Sequence, residues 1–459
     1  MFQKILIANR GEIAIRVMRT CMKMGIKTVA VYSEADSKAP FVAMADESYL
    51  LGGSRVNESY LNADKIISIA KESKVDAIHP GYGFLSENGS FVQKCEAAGI
   101  TFIGPGSDVM EQMGSKIAAR NAMKKAGVPI VPGTEDAVTT ADDAIRIANK
   151  IGYPVMLKAS AGGGGIGMQA VQSDDELQKA FANNAKRAEN FFGNGAMFLE
   201  KKIEHGRHIE IQILSDHYGN AVYLFERECS IQRRNQKVIE EAPSAFISEA
   251  TRRKMGEIAV KAVKSLHYVN AGTIEFMVDE SENFYFLEMN TRIQVEHPIT
   301  EEITGVDIVE QQLMIADKQP LAIRQEDLFI NGHAIEARIY AEDPVTFFPS
   351  PGHITTFDIP KERYVRHEVA VAADYDVTPF YDPMIAKLIV TGNTREEAIE
   401  RLRGTLQSYH VGGIKTNIPM LKKIVFHEAF ENGDTTTAFV PTYYVPIAKN
   451  GGGNDDGRS

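Results

Sequence analysis

Two apolar runs joined by a polar turn make up Gly272-Thr-Ile-Glu-Phe-Met-Val-Asp-Glu-Ser-Glu-Asn-Phe-Tyr-Phe-Leu-Glu-Met-Asn290, and this pattern predicts a β-hairpin. If Val278 pairs with Tyr285, then Glu275 lies opposite Glu288, and Asn290 falls on the same face two residues later. Opposed carboxylates repel each other unless a cation lies between them, and two carboxylates with an amide oxygen suit Mg²⁺ or Mn²⁺. We therefore predict a metal site on the hairpin, with an exposed acidic face as the alternative.

Charged residues continue directly after the hairpin, in Thr291-Arg-Ile-Gln-Val-Glu-His-Pro298. Beside a metal–phosphate site, the planar fork of Arg292 could bind a carbonate-like anion, and Glu296 could act as a base. We expect His297 to be packed and hydrogen-bonded rather than to titrate.

A basic cluster, Gln232-Arg-Arg-Asn-Gln-Lys237, lies upstream of the hairpin. In an acidic chain such a cluster favours an anion site over a solvated face. Cys229, close to the cluster, is expected to be a small buried thiol rather than a nucleophile.

A glycine loop, Ala161-Gly-Gly-Gly-Gly-Ile-Gly-Met168, follows an apolar strand that contains Lys158 near its end. Successive glycines let the backbone approach a ligand and direct several N–H groups toward it, which suits phosphate oxygens. The loop is not a Walker A motif, because no Gly-Lys-Ser/Thr follows, and a flexible turn is the alternative reading.

The first hundred residues alternate short strands and helices, and this alternation predicts a parallel sheet with helices on both faces. The turn after the first strand lacks G-x-G-x-x-G, so it does not support dinucleotide binding. The predicted elements are strands at Lys4–Ile7, Thr28–Tyr32, Ala77–His79 and Thr101–Ile103, and helices at Gly11–Met24, Lys65–Ser73 and Phe91–Ala98.

A junction rich in glycine and proline precedes a second unit at about 134–203, and a third region extends from about 204 to 446. The glycine-rich end, 447–459, is expected to be disordered. The predicted elements are a helix at Asp174–Ala188 and strands at Val155–Ala159, Met197–Lys201, His208–Ser215, Ala221–Arg227, Gly272–Val278 and Phe284–Asn290.

The composition of the 459-residue chain limits the kinds of partner that it is expected to bind. Acidic residues outnumber Lys plus Arg by 61 to 50, a net charge of −11, so generic binding to nucleic acid is not expected. No apolar run is long enough for a transmembrane helix, and no signal peptide is recognised. The three cysteines lack metal-ligand spacing, which is consistent with a reducing cytoplasm and no structural disulfides.

Taken together, the chain resembles the biotin carboxylases, a branch of the ATP-grasp superfamily, over about residues 3–446. The run Glu-Met-Asn-x-Arg-x-Gln-Val-Glu-His is highly specific. The segments that carry the resemblance are Lys4-Ile-Leu-Ile-Ala-Asn-Arg-Gly-Glu-Ile-Ala14, His79-Pro-Gly-Tyr-Gly-Phe-Leu-Ser-Glu-Asn88, Tyr153-Pro-Val-Met-Leu-Lys-Ala159, Glu226-Arg-Glu-Cys-Ser-Ile-Gln-Arg-Arg234, Phe286-Leu-Glu-Met-Asn-Thr-Arg-Ile-Gln-Val-Glu-His-Pro298, Gly332-His-Ala-Ile-Glu-Ala-Arg338 and Tyr381-Asp-Pro-Met-Ile-Ala-Lys-Leu388.

The resemblance implies an α/β, ATP-grasp fold. It implies a Rossmann-like N-terminal domain at 1–113, linker helices and a mobile ATP-grasp lid at 114–203, and the ATP-grasp core with a larger α+β C-terminal domain at 204–446. ATP would lie between the lid and the C-terminal domain.

The resemblance also implies roles for individual residues. The catalytic residues would be Glu296 as the base for bicarbonate, Arg338 for the biotin enolate, and Lys237 and Arg292 in the bicarbonate pocket with Gln294 and Val295. The metal ligands would be Glu275, Glu288 and Asn290. The nucleotide contacts would be Lys116, Lys158, Gly163, Gly164, Gly165, Gly167, Met168, Glu200, Lys201, Ile203, His208, Gln232 and Asn235.

The implied reaction is the ATP-dependent carboxylation of biotin by bicarbonate through carboxyphosphate, with Mg²⁺ or Mn²⁺. Because the chain has no Met-Lys-Met acceptor, it is expected to be a stand-alone, homodimeric subunit. Its expected partners are a separate biotin carboxyl carrier protein and carboxyltransferase subunits. Acetyl-CoA carboxylase is the default system, and carboxylases for another acyl-CoA, pyruvate or urea are alternatives.

Three positions depart from the family pattern. Ile166 stands where the loop usually carries Lys or Arg, Gly206 stands within a usual Asn-Pro-Arg-His, and Asn235 replaces a histidine. The metal ligands and the catalytic residues are retained, so we predict an active enzyme. The alternatives are a different ATP-grasp ligase, a non-catalytic or regulatory ATP-binding subunit and, least favoured, a dehydrogenase.

Overall fold

The computed structural model describes residues 1–134, 136–160 and 168–444, so the tail predicted at 447–459 lies outside it. The N-terminal part forms a five-stranded parallel sheet in the order β3-β2-β1-β4-β5, as the alternation predicts. Its elements are β1 (Lys4–Ile7), α1 (Gly11–Lys23), β2 (Lys27–Ser33), α2 (Pro40–Met44), β3 (Glu47–Gly52), α3 (Ala63–Glu72), β4 (Ala77–His79), α4 (Gly89–Ala97) and β5 (Thr101–Phe102).

The edge strand β3 was not anticipated from the sequence. β3 pairs with another strand on one side only, and its residues alternate only weakly between buried and exposed. The sequence of β3 therefore lacks the clear alternation of apolar and polar residues that predicts a strand. β1 and β4 are confirmed at the predicted bounds, since both are short, apolar and fully flanked by other strands.

A small antiparallel sheet in the order β7-β6-β8 follows, and α7 and α8 pack on it through an apolar core. The strands predicted at Val155–Ala159 and Met197–Lys201 are confirmed, and the helix predicted from Asp174 extends to Phe192. The elements here are α5 (Ser107–Gly114), α6 (Lys116–Ala126), α7 (Ala141–Ile151), β6 (Val155–Ala159), β7 (Gln169–Val171), α8 (Asp174–Phe192) and β8 (Met197–Lys201).

The largest element is an eight-stranded antiparallel sheet in the order β13-β12-β9-β10-β11-β14-β19-β17. Two small two-stranded sheets, β15-β18 and β16-β20, lie in the same part of the chain. The elements are β9 (Arg207–Ser215), β10 (Ala221–Arg233), β11 (Gln236–Ala242), α9 (Glu249–Ser265), β12 (Asn270–Val278), β13 (Phe284–Asn290), α10 (His297–Thr304), α11 (Ile308–Ala316), β14 (His333–Tyr340), β15 (Gly352–Ile354), β16 (Thr356–Asp358), β17 (Val365–Val369), β18 (Tyr375–Val377), β19 (Met384–Gly392), α12 (Arg395–Ser408), β20 (His410–Gly412), α13 (Ile418–Val425) and α14 (Glu428–Glu431), and a π-helical turn at Val440–Tyr444.

The two faces of the eight-stranded sheet differ in polarity. The isoleucines of β9 face a core that includes α9, whereas the alternate positions, His208, Glu210 and Gln212, face the other way. α10 covers this second face through contacts with β10, β11, β14 and β19. Both faces are buried, so the polar side chains between the sheet and α10 must satisfy one another.

The hairpin of β12 and β13 corrects one predicted pairing. Val278 pairs with Phe284 rather than with Tyr285, and the pairing then shifts by one residue at Leu287. This β-bulge places Glu288 directly opposite Glu275, as predicted, although the register at the turn is wrong.

The packing of α9 on the sheet predicts opposite outcomes for two helical glycines. A Cβ at Gly256 in α9 would lie 2.5 Å from two ring atoms of Tyr223, whereas a Cβ at Gly404 in α12 meets nothing within 4 Å. We expect Gly256→Ala to destabilise the protein by about 1–3 kcal/mol through overpacking, and Gly404→Ala to stabilise it by up to about 1 kcal/mol. Thermal unfolding midpoints measure both; equal shifts would contradict this packing.

Candidate active site

Lys237 lies at the centre of the polar sheet face. Its Nζ is 2.6 Å from Glu210 Oε2, 2.6 Å from Glu296 Oε1 and 3.2 Å from Glu275 Oε1. Burial opposes the charge of this ammonium, but the carboxylates outweigh burial and raise the pKa of Lys237 well above its ordinary value. Lys237 is therefore a fixed cation that joins three strands and the loop before α10.

A second register shift places Lys237 here. Ile231 pairs with Ile239 and Gln232 pairs with Lys237, so Val238 is an extra residue on β11. Such a bulge interrupts the regular alternation of side chains between the two faces of the sheet, and so it changes the direction of the neighbouring Lys237 side chain. At the turn between β10 and β11, Arg234 and Asn235 both have positive φ, a conformation that asparagine adopts readily. The side chain of Asn235 is exposed at this turn.

Glu296 is held between two cations at the N-terminal end of α10. Lys237 Nζ contacts Glu296 Oε1, and Arg338 Nη2 donates to Glu296 Oε2 at 2.9 Å. Burial alone would raise the pKa of Glu296, but Lys237 and Arg338 outweigh it and hold the pKa well below its ordinary value. Glu296 is therefore an ionised carboxylate at neutral pH.

Arg227, a fully buried arginine on β10, joins the sheet to the loop before α10. Its Nε donates to Glu210 Oε1 at 2.6 Å and its Nη2 donates to Gln294 Oε1 at 2.6 Å. Its Nη1 donates to Gln212 and to Thr300 of α10 at 2.8 and 2.9 Å. This guanidinium fixes Gln294, whose Nε2 donates to Glu275 Oε1 at 2.7 Å.

The predicted metal ligands lie together on the β12–β13 hairpin. Glu275 and Glu288 are cross-strand partners, and Asn290 Nδ2 donates to Glu275 Oε1 at 3.1 Å. The carboxylate of Glu288 is solvent-exposed and accepts no hydrogen bond from the described residues. Although part of the residue is exposed, the protein atoms around the carboxylate remove hydration from it, and this desolvation, with the charge of Glu275, raises the pKa of Glu288. An uncompensated carboxylate opposite a second one, beside an amide, is a donor set that fits Mg²⁺ or Mn²⁺.

The predicted bicarbonate-pocket residues line the same region. Arg292 Nη2 donates to Asn290 Oδ1 at 2.5 Å, and its Nε donates to Glu87 Oε2 at 3.1 Å. Val295 accepts a hydrogen bond from Lys387 Nζ at its carbonyl, at 2.7 Å. The anion-binding candidates Arg292 and Lys237 thus flank Gln294 and the carboxylate of Glu296.

His208 and Gln232 extend the site along β9 and β10. Gln232 Nε2 and His208 Nδ1 are 2.8 Å apart, and His208 Nε2 lies 2.8 Å from Glu275 Oε2. The structure thus places both residues beside the predicted metal ligand Glu275.

The two predicted phosphate lysines lie on α6 and β6. Lys158 Nζ is 2.5 Å from Glu200 Oε2. Burial, helped by the charge of Lys158, lowers the pKa of Lys116, and Glu288 and Glu200 partly offset this effect. Lys116 at the start of α6 is thereby in electrostatic contact with β6 and β8 and with the metal candidate Glu288.

Three further nucleotide candidates are placed less centrally. Lys201 Nζ donates to the carbonyls of Gly152 and Tyr153, at 2.9 and 2.8 Å, so its side chain is bound to the turn between α7 and β6. Ile203 and Met168 are half-buried. Gly163, Gly164, Gly165 and Gly167, together with Ile166, lie outside the described residues.

Two expectations of packing are confirmed. His297 is buried, its Nδ1 lies 2.8 Å from the Gln294 carbonyl, and burial lowers the pKa of this imidazole well below its ordinary value. Cys229 is a buried free thiol whose pKa is raised well above its ordinary value by desolvation. Neither residue has the chemistry of a nucleophile or a neutral-pH switch.

The sequence reasoning missed several residues of the site. Glu210 carried a usable signal, because His208, Glu210 and Gln212 alternate with isoleucines within a predicted strand. Arg227 was signalled only by three consecutive charged residues in a strand, Glu226 to Glu228. The others are Glu87, Glu240 and Lys387, and each contacts a site residue that is distant in sequence, so their contacts gave no local signal.

Family models match three successive parts of the chain. Residues 1–110 match the biotin carboxylase N-terminal domain, residues 115–324 match the ATP-binding domain of the carbamoyl-phosphate synthase L chain, and residues 336–442 match the biotin carboxylase C-terminal domain.

Whole proteins of the same kind are similar over nearly the full length. Biotin carboxylase 2 of Bacillus subtilis is 62% identical over 440 residues, which are 96% of this chain and 99% of that protein. Biotin carboxylase of Halalkalibacterium halodurans is 60% identical over 96% of this chain and 98% of its own length. The biotin carboxylase domain dimer of Hydrogenobacter thermophilus 2-oxoglutarate carboxylase, solved with MgADP, ADP and bicarbonate, is 48% identical, with a TM-score of 0.95 and 100% coverage of both chains.

Within the described residues, none of the helices combines the length and the apolar character needed to cross a lipid bilayer.

The Arg227 network predicts that even a conservative substitution is costly. We expect Arg227→Lys to destabilise the protein by about 1–3 kcal/mol, because one ammonium cannot reach Glu210, Gln212 and Gln294 together, and buried acceptors are then left unsatisfied. Arg253→Lys on the exposed face of α9 is the matched control and should change stability by less than about 0.5 kcal/mol. Chemical denaturation compares the two; an equal effect would mean that the fork of Arg227 is dispensable.

Proposed function

This chain belongs to the biotin carboxylase family, and we propose that the side chains gathered on the polar sheet face carry out its ATP-dependent carboxylation of biotin. The activity is that of a ligase, which forms a C–N bond and converts ATP to ADP. The observation that carries the residue assignment is the position of Glu296. This ionised carboxylate lies between Lys237 and Arg338, in the same cluster as the opposed carboxylates of the hairpin.

Glu296 acts as the base in this proposal. Bicarbonate binds beside Lys237, Arg292, Gln294 and the backbone of Val295, and Glu296 accepts its proton. The cations that keep Glu296 ionised also oppose its protonation. When bicarbonate binds, its negative charge interacts with Lys237 in place of part of the Lys237–Glu296 contact. Lys237 then opposes the protonation of Glu296 less strongly.

Phosphoryl transfer follows from the deprotonated anion. A bicarbonate oxygen bonds to the γ-phosphorus of ATP while the bond from that phosphorus to the β–γ bridging oxygen breaks, which gives ADP and carboxyphosphate. Lys116 and Lys158 bind phosphate oxygens from the lid side. Glu275, Glu288 and Asn290 hold Mg²⁺ or Mn²⁺, which when bound offsets the negative charge of the phosphates.

Carboxylation of biotin completes the reaction. Carboxyphosphate breaks down to CO₂ and phosphate, and phosphate takes the proton from the ureido nitrogen of biotin. Arg338 stabilises the resulting enolate, whose nitrogen bonds to CO₂. We assign nucleotide contacts to Glu200, Lys201, Ile203, His208 and Gln232, and the lid movement to residues 114–203.

We also propose that the chain is a cytoplasmic, homodimeric subunit that works with a separate biotin carboxyl carrier protein and carboxyltransferase. The biotin carboxylase domain of the Hydrogenobacter enzyme is a dimer, which supports the homodimer. The retained base, cations and metal-type ligands give no reason to favour the non-catalytic alternative.

Glu296 can be tested by an isosteric change. We expect Glu296→Gln to lower the rate of bicarbonate-dependent ADP release, measured with ATP, Mg²⁺ and free biotin, by about 10²–10⁴-fold, because the amide cannot accept the proton. Glu257→Gln, an exposed change on α9, is the control and should leave the rate unaltered. A Glu296→Gln protein with the control's rate would exclude Glu296 as the base. Absence of bicarbonate-dependent ADP release in the unaltered protein at high ATP would exclude the function itself.

The metal assignment makes a separate prediction. We expect Glu288→Gln to raise the Mg²⁺ concentration needed for half-maximal ATP cleavage by about tenfold or more, since a hard cation loses a carboxylate ligand. Glu280→Gln, in the exposed turn of the same hairpin, should not change this requirement. A Mg²⁺ titration that is the same for both variants would remove Glu288 from the ligand set.

A further inference from the structure

A second pair of opposed carboxylates lies on β11 and β14, beside Arg338. Glu240 on β11 and Glu336 on β14 are direct cross-strand partners, and both are fully buried, at 0% exposure. Side chains at such positions share a face and lie close together. Unlike Glu288 of the hairpin, which is exposed, both members of this pair are buried.

The two carboxylates differ in what they contact. Arg338 Nη2 lies 2.5 Å from Glu240 Oε1, whereas Glu336 makes no ion pair within the described residues. Across the same described part of the chain, all four carboxylate oxygens lack a hydrogen-bond donor of good geometry. A buried negative charge on Glu336 with no ion pair, opposite the ionised Glu240, is strongly unfavourable, and a proton on Glu336 would remove that charge and supply a donor to Glu240.

Charged and titratable groups surround the pair on every packed element. Lys387 on β19 and Arg338 favour ionisation of Glu336, while burial, Glu240 and Glu296 oppose it. The groups that face the pair or its immediate neighbours are Lys237 on β11, Cys229 on β10, Tyr340 on β14, His297 on α10 and Glu12, which lies 3.2 Å from Lys387 Nζ.

We propose that Glu336 carries a proton that it donates to Glu240, and that the ionised Glu240 is the positioning residue that holds the Arg338 guanidinium. This inference rests on the proposed role of Arg338 in carboxylating biotin. Burial, Glu240 and Glu296 raise the pKa of Glu336 well above its ordinary value, and burial raises that of Glu240 to about 7, so Glu336 is the member that keeps the proton.

The arrangement has a consequence for the reaction. The same Nη2 atom of Arg338 contacts Glu240 and Glu296, and Arg338 Nε has no partner among the described residues. When Glu296 takes a proton from bicarbonate, its hold on Arg338 weakens. The ionised form of Glu240 still contacts Arg338, so the guanidinium stays in place to meet the enolate.

The pair predicts an asymmetry between two isosteric variants. Glu336→Gln keeps a donor toward Glu240, so biotin carboxylation should stay within about threefold of the unaltered protein. Glu240→Gln removes the counter-charge of Arg338, so the kcat of biotin carboxylation should fall at least about tenfold. The KM for ATP should stay within about twofold, because the nucleotide contacts are elsewhere. Equal losses in the two variants, an unaffected Glu240→Gln protein, or a parallel rise in the KM for ATP would overturn the inference.

A stability measurement reports on the proton independently of activity. A carboxyl group whose pKa is higher in the folded protein than in the unfolded chain binds more protons in the folded state. The free energy of unfolding therefore falls as the pH rises above the ordinary pKa of the group. The thermal midpoint of Glu336→Gln minus that of the unaltered protein should therefore increase between pH 6 and pH 8, by roughly 1 °C or more per pH unit. A difference that does not depend on pH would show that Glu336 carries no proton.

These outcomes separate the inference from the proposed function. An unaltered protein that carboxylates biotin, with a Glu240→Gln protein of equal kcat, leaves the function standing and removes the role of Glu240. An unaltered protein without bicarbonate-dependent ATP cleavage removes the function first.

Discussion

Charge compensation on one buried sheet face is the constraint on which the site depends. Glu210, Glu275 and Glu296 come from two strands and a loop, and all three contact the single ammonium of Lys237. A buried ion of either sign is costly alone, so each member holds the others in position. The fold therefore cannot bring these strands together without also assembling the cluster that we assign to bicarbonate.

Two backbone irregularities refine this arrangement. The bulge at Leu287 brings Glu288 opposite Glu275, and the bulge at Val238 directs Lys237 toward the cluster. Without the bulge at either position, these side chains would have different neighbours. A shift of one residue in strand pairing moves each side chain to the opposite face of the sheet. The catalytic geometry thus depends on local departures from ideal sheet pairing as much as on the sheet itself.

The sequence predicts those parts of the site that are local. Glu275, Glu288 and Asn290 belong to one hairpin, and the predicted pairing placed them on a common face, although the structure reaches this arrangement through the bulge at Leu287. The register at the turn was wrong because nothing in the apolar residues around Leu287 indicates a bulge. The order of the eight strands and contacts such as Arg227 with Gln294 depend on pairings between distant segments, which no short pattern encodes. The local pattern indicated Glu296 as a possible base and the cluster ending at Lys237 as a possible anion site, and the resemblance to a family gave each residue its specific role.

The hairpin and the Arg338 region solve the same electrostatic problem in two ways, and solvent access decides which. Glu288 is exposed, so in the proposed metal site a divalent cation would reach the opposed carboxylates from solvent. Glu240 and Glu336 are fully buried within the sheet, and there we propose that a proton compensates the second carboxylate. In the proposed reaction the hairpin would thus carry an exchangeable cation where phosphate binds, and the pair beside Arg338 would carry a proton that leaves Glu240 free to hold the guanidinium.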